Sequence, residues 1–211
     1  MIKIHQLTKT FGDRTVFSDL NLNFDAGKVY ALIGNSGCGK TTLLNMVAKL
    51  EPYDQGSIQY KGNDLRKIKP TNYFRNELGY LFQNFGLIDN KTVSENLDLG
   101  LIGHKLDKQK KRETKEEVLD RVGLSYIQLD QKVYELSGGE AQRVALAKII
   151  LKDPPLILAD ELTAALDPET SQEIMDLLLT LKNKERLIII ATHNPTIWKQ
   201  ADQVVSLKIS Q

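Results

Sequence analysis

Eight residues, Gly34-Asn35-Ser36-Gly37-Cys38-Gly39-Lys40-Thr41, constrain this chain more than any other stretch. They satisfy the pattern G-x-x-x-x-G-K-[ST] at every fixed position. The run before them, Lys28–Ile33, is apolar enough for a buried strand, and the run after them, Thr42–Ala48, reads as a helix. That strand–loop–helix setting is the one in which the pattern cradles phosphates. Glycines let the backbone wrap closely around an anion and turn its N–H groups inward. The new helix presents its positive end to the same place. Lys40 supplies a point charge for terminal phosphates, and the Thr41 hydroxyl can ligate Mg²⁺.

Bulk properties narrow the class. The chain has 211 residues, with 41% hydrophobic and 26% charged, ordinary values for a globular protein with one sizeable core. A net charge of +1 gives no footprint for nucleic acid, and none is expected as a partner. Apolar runs such as Leu187–Ala191 and Leu156–Ala159 fall far short of the ~20 residues a membrane helix needs. Ile2-Lys3-Ile4-His5 alternates like a half-exposed strand and shows no signal-peptide core. Cys38 is the only cysteine, which excludes an internal disulfide and suits a reducing compartment. The expectation is a cytoplasmic protein that meets a membrane only through a partner.

A second glycine pair stands in Leu136-Ser137-Gly138-Gly139-Glu140. Ser137 and Glu140 form a capping box for a helix through Ala141, Val144, Ala145 and Ile149. The box leaves Gly138 and Gly139 unexplained, because glycine in a first turn weakens a helix. They make sense if an anion approaches that backbone closely. Further on, the apolar run Leu156–Ala159 ends in Asp160-Glu161. It reads as a buried parallel strand with two carboxylates at its ligand edge. Alternation would send them to opposite sides: Asp160 to Mg²⁺ or its waters, Glu161 to take a proton from an attacking water. His193 follows another buried-strand pattern, Leu187–Thr192, where an imidazole can reach a terminal phosphate. Asn194-Pro195 and Asp167-Pro168 read as helix starts.

With both glycine elements in this order, the chain resembles the ATP-binding cassette (ABC) ATPases over nearly its whole length. Leu136–Glu140 matches that family's signature. The resemblance implies an α/β fold: a P-loop NTPase (RecA-like) core, an N-terminal antiparallel β portion and an inserted helical subdomain. On this sequence the core would be 1–82 and 152–211, and the helical insert 83–151. It also implies a head-to-tail pair of subunits with two ATP molecules between them, each held by Gly34–Thr42, including Thr42, of one copy. Ser137 and Gly139 of the other copy would contact the γ-phosphate, with Gly138 and Glu140 beside them in the nucleotide-binding signature. Gln83, after the strand Gly79–Phe82, would reach Mg²⁺ or the attacking water and link the site to a movable helical lobe. His193 matches the switch histidine, and Asp167 the loop that crosses the dimer interface. Phe11 is either the aromatic residue that stacks on adenine or a phenylalanine at the edge of the core. Phe85-Gly86-Leu87-Ile88 is either core or a groove for a short helix of a membrane subunit.

The chain departs from the family pattern just after Glu161. Leu162 replaces a frequent proline, and Ala164-Ala165 opens the interface loop without a small polar residue. Cys38 occupies a variable loop position where alkylation could be felt. Lys105–Glu117 is read as a solvated charged face leading into Val118, Leu119 and Val122, and Trp198 as packing for a short helix.

The function implied by the resemblance is ATP hydrolysis coupled to a separate transmembrane permease on the inner face of the cell membrane. A P-loop kinase or GTPase lacks the second glycine signature. A cassette serving DNA maintenance or translation would carry long heptads or two motif sets, which this chain does not. Gly79–Asn96 is similar to the small ATPases of peptide, bacteriocin and lipoprotein exporters, with amino-acid importers as the alternative. With an expected strand at Gln203–Ile209, the regulatory C-terminal domain found in many sugar importers of the family is not expected.

Overall fold

The computed structural model describes residues 1–164 and 166–207. In chain order its elements are β1 (Ile2–Phe11), β2 (Arg14–Phe24), β3 (Val29–Ile33), α1 (Lys40–Val47), β4 (Gln55–Tyr60), β5 (Asn63–Asp64), α2 (Pro70–Asn72), β6 (Leu78–Leu81), α3 (Val93–Asp98), α4 (Lys108–Arg121), α5 (Gly138–Lys152), β7 (Leu156–Asp160), α6 (Pro168–Leu179), β8 (Leu187–Ala191), α7 (Pro195–Trp198) and β9 (Gln203–Ser206). They group into two compact units. The first holds Met1–Leu78, Pro155–Glu161 and the chain from Lys182 onward; the second holds Gly79–Pro154 and Leu162–Leu181.

The first unit carries an antiparallel sheet in the order β2-β1-β4-β5. Ile2 and Ile4 face inward while Lys3 and His5 face out, as the alternation predicts. The phase then slips. His5 and Gln6 are both exposed, Gln6 has φ +47°, and the register with β2 shifts between Ile4 and Leu7. This bulge re-aims the rest of β1, so that Leu7 and Lys9 turn inward.

The same unit carries parallel strands side by side in the order β7, β8, β3, β9. Ile157 lies opposite Ile188, and Ala31 lies opposite both Ile190 and Val204. Every residue of β7 and β8 is buried, which is why both read as unbroken apolar runs rather than alternating ones. The expected last strand runs from Gln203 to Ser206; positions 208 and 209 lie outside the described residues. In α7 the buried residue is Ile197, whereas Trp198 is half-buried beside Lys199. The short helix is therefore seated by its aliphatic residue, a correction to the expectation for Trp198.

The second unit is held by a cluster of Val93, Leu97, Val118, Leu119, Val122 and Val144 with their aliphatic neighbours. Its helices start where the sequence places caps. Thr92 and Glu95 form a capping box on α3, and Asp167 accepts the Thr170 N–H at the start of α6. One charge does not follow the solvated-face expectation. Lys115 of α4 is buried, donates to Ser94 Oγ at 2.9 Å and pairs with Asp98 at 2.7 Å. Its stem covers apolar surface while its ammonium is neutralised, so α4 docks on α3 through a lysine. Among the described residues no helix is long and apolar enough to cross a membrane.

Truncating the centre of β7 tests this packing. Leu158→Ala should lower stability by about 2–5 kcal/mol, seen as a reduced urea midpoint with a little-changed slope.

Candidate functional site

The strand β3 hands the chain to Gly34 at φ +148°, a conformation that favours glycine. A Cβ there would stand 2.6 Å from both Cys38 Sγ and the Leu207 carbonyl oxygen. At Gly39, φ is +98° and a Cβ would meet the Phe17 ring at 2.5 Å. The loop thus fits its walls only without side chains at these points. It is closed by the Cys38 N–H on the Asn35 carbonyl at 3.1 Å. The first bond back from α1 is Leu43 N–H to Gly39 C=O at 2.8 Å. The amides of Lys40, Thr41 and Thr42 therefore lie beyond the helical ladder, at its positive end. Asn35, Ser36 and Gly37 are exposed. Cys38 is only 2% exposed, so the protein itself shields the thiol from the alkylation considered above.

Two side chains at the start of α1 link this loop to the end of β7. The ammonium of Lys40 donates to the Gly34 carbonyl at 3.0 Å and lies 3.7 Å from Glu161 Oε1. The Thr41 hydroxyl donates to Asp160 Oδ1 at 3.1 Å, although the two residues are 119 positions apart. Asp160 is 5% exposed, and burial pushes its carboxyl above the usual carboxylate range. The Thr41 hydrogen bond and Lys40 oppose that shift, while the neighbouring Glu161 adds to it.

Glu161 corrects the expectation of opposite-pointing acids. It has left the strand at φ +46°, with its N–H held by the Ala191 carbonyl at 2.9 Å. Strand alternation no longer applies there, and the backbone stores local strain. Both carboxylates consequently reach the same loop. Glu161 Oε2 meets His193 Nδ1 at 2.8 Å, so the histidine at the end of β8 holds the acid at the end of β7. His5 and His104 are exposed and outside this cluster.

The residues fit a bound Mg²⁺ ion. The Thr41 hydroxyl and the Asp160 carboxylate are adjacent hard oxygens, and the buried carboxylate gains from a nearby cation. Among the described residues no three His, Cys, Asp or Glu side chains converge to hold a metal by themselves. One carboxylate plus a hydroxyl, with phosphate and water completing the shell, is the Mg²⁺ habit.

Phe11 is 47% exposed, so much of its ring lies outside the core. It pairs with Arg14 across the β1–β2 turn, and Arg14 Nη2 donates to the Gly37 carbonyl at 2.7 Å. Arg14 escapes sequence reasoning because it is an ordinary polar strand residue 23 positions before the loop it holds.

The remaining expected residues belong to the second unit. Gln83 is exposed just after β6, and Asp167 is exposed at the start of α6. Ser137 caps α5: its N–H and its hydroxyl each meet Glu140 Oε2 at 2.8 Å, and its Oγ accepts the Glu140 N–H at 3.3 Å. These bonds hold the Glu140 carboxyl below its usual range. A Cβ on Gly138 would meet nothing closer than Phe85 at 3.8 Å and Leu166 at 3.9 Å. The chain's own packing does not demand glycine at that point.

A phosphate loop on a parallel sheet, with an antiparallel sheet in the same unit, defines an α/β P-loop protein. Residues 17–164 match the family model described as ABC transporter, and the chain belongs to that family. It is 37% identical over 210 residues to a protein of Clostridium acetobutylicum named methionine import ATP-binding protein MetN, covering 98% of this chain and 65% of that protein. It is 32% identical over 215 residues to the macrolide export ATP-binding/permease protein MacB of Pasteurella multocida, covering 99% of this chain and 33% of the relative. The chain therefore spans less than two thirds of the length of these relatives. A solved dimeric structure of the ATP-binding cassette MJ0796, in a post-hydrolysis state with ADP and Pi, superposes with a TM-score of 0.90 at 28% identity. That match covers 100% of this chain and 97% of the other.

The Asp160 shift gives a pH test. A carboxyl raised in the fold binds more protons there than in the unfolded chain, so its stability cost is present at neutral pH and fades as pH falls. In buffer with EDTA, Asp160→Asn, which keeps an acceptor for Thr41, should melt above wild type at pH 8, with the gap narrowing as pH falls towards the ordinary carboxylate range.

Proposed function

We propose that the chain is the ATP-binding and ATP-hydrolysing cassette of an ABC transporter. The observation that carries this reading is the meeting of Lys40, the Thr41–Asp160 pair and the Glu161–His193 pair at one helix start. The loop amides and Lys40 would bind the β- and γ-phosphates of ATP. Thr41 and Asp160 would hold Mg²⁺, which when bound neutralises charge on the phosphate oxygens. Glu161, oriented by His193, would accept the proton of the attacking water. Gln83 would help to position that water or the ion. The exposed ring of Phe11 would stack on adenine.

The second glycine turn supports pairing of two cassettes. Space beside Gly138 suits a visitor from outside the chain, and a partner's γ-phosphate has the chemistry its turn would accept. Ser137, Gly139 and Glu140 would share that contact, and Asp167 would lie along the pair's interface. ATP would thus draw two copies, or two related subunits, together, and hydrolysis would release them.

A separate permease would convert that motion into transport, with Phe85–Ile88 as its docking surface. The protein would then be cytoplasmic and peripheral to the inner face of the cell membrane. Neither relative described above carries a peptide, bacteriocin or lipoprotein exporter in its name. The methionine importer supports the alternative of an amino-acid importer, while the macrolide exporter supports outward movement of another cargo. The cassette chemistry is the same in either direction, and the permease sets the cargo.

Lys40→Ala should weaken ATP binding by roughly tenfold to a hundredfold, since a charge-assisted contact of ~1.5–3 kcal/mol is lost. Unchanged affinity in calorimetry would remove the phosphate-loop assignment. Glu161→Gln should keep ATP affinity, slow turnover by ~10²–10⁴ and accumulate as an ATP-dependent dimer in gel filtration. Normal turnover by a monomer would show that Glu161 is not the base.

A further inference from the structure

Lys9 is a lysine that the nucleotide chemistry above does not use. It lies inward on β1, 5% exposed, with its ammonium 2.5 Å from Glu51 Oε1. The same ammonium stands 4.3 Å from the centroid of the Phe11 ring, two residues along the strand on the same face. The surrounding backbone is tied down. Asp54 Oδ2 accepts both the N–H and the hydroxyl of Thr10, at 2.7 and 2.8 Å, and the Asp54 N–H returns to the Thr8 carbonyl at 3.0 Å. A fixed cation thus covers one face of an otherwise exposed aromatic ring. The Phe11–Arg14 strand pair and the Arg14 bond to Gly37 tie this turn to the phosphate loop.

We infer that Lys9 is a positioning residue for base recognition: held by Glu51, it backs the Phe11 ring and leaves the opposite face to receive the purine. The inference rests on the proposed ATP-binding role. A cation over a ring favours one orientation of it. A half-exposed phenylalanine without that support would sample other rotamers and lose freedom on stacking. Lys9 supplies that order beforehand, with its ammonium engaged by Glu51 and the Phe11 ring.

The test compares Mg·ATP with Mg·tripolyphosphate, which has the phosphates without a base, by calorimetry on the full chain. Lys9→Met should weaken ATP binding about three- to fivefold, the range of an exposed cation–π contact, and leave tripolyphosphate binding as in wild type. In turnover assays the loss should fall on KM rather than kcat, and Lys9→Arg should restore it. Glu51→Gln, which unpins the ammonium without removing it, should give a smaller loss of the same selectivity and serves if Lys9→Met fails to fold. In a Phe11→Leu background the effect of Lys9→Met should vanish. Equal weakening of both ligands, unchanged ATP affinity or persistence without the ring would each overturn the inference. A wild-type chain that binds neither ligand would instead remove the ATP-binding reading itself.

Discussion

The hydrogen bond from Thr41 to Asp160 is the point on which the site turns. Its two ends arrive by different routes. Thr41 is the second residue of α1, placed by a loop that only glycines can follow. Asp160 is the last residue of β7, a strand buried along its whole length. Burial of apolar residues on both faces of β7 fixes the strand, and the strand in turn holds a carboxylate where water does not reach it freely. The cost of that burial is visible in the raised Asp160 carboxyl. A cation beside Thr41 would relieve it, so the same feature that destabilises the isolated charge defines its affinity.

One residue later the geometry changes character. Glu161 abandons the extended backbone, and this turn allows it to face Lys40 and His193 rather than the far side of the sheet. Strain at a single position thereby converts two sequential acids into two convergent ones. The Ala191 carbonyl that holds the Glu161 N–H belongs to β8, whose end also delivers His193. One strand therefore fixes both the backbone and the side chain of the proposed base.

Much of this was legible beforehand because it depends on local rules. The glycine pattern, the unbroken apolar runs of β7 and β8 and the caps at Thr92, Ser137 and Asp167 are short-range signals. What escaped depends on contacts distant in sequence or on departures from ideal geometry. Arg14 reaches Gly37 across the first unit, and nothing about an exposed strand arginine announces that bond. The left-handed turn at Glu161 defeats the alternation rule used to aim its side chain. Lys115 sits in a charged run and yet is buried, because Asp98 and Ser94 wait for it on another helix. Trp198 drew attention by size, whereas the smaller Ile197 occupies the interior.

The walls around the glycines also say how much of the chain the loop needs. Gly34 is backed by the Leu207 carbonyl, Gly37 by Arg14, and Gly39 by Val16 and Phe17. A strand–loop–helix segment cut out at Val29–Val47 would lose all of these supports at once. The motif is contiguous in sequence but not autonomous in space. Any transplant that preserves its shape has to carry β2 from near the beginning of the chain and the backbone at Leu207 from near its end.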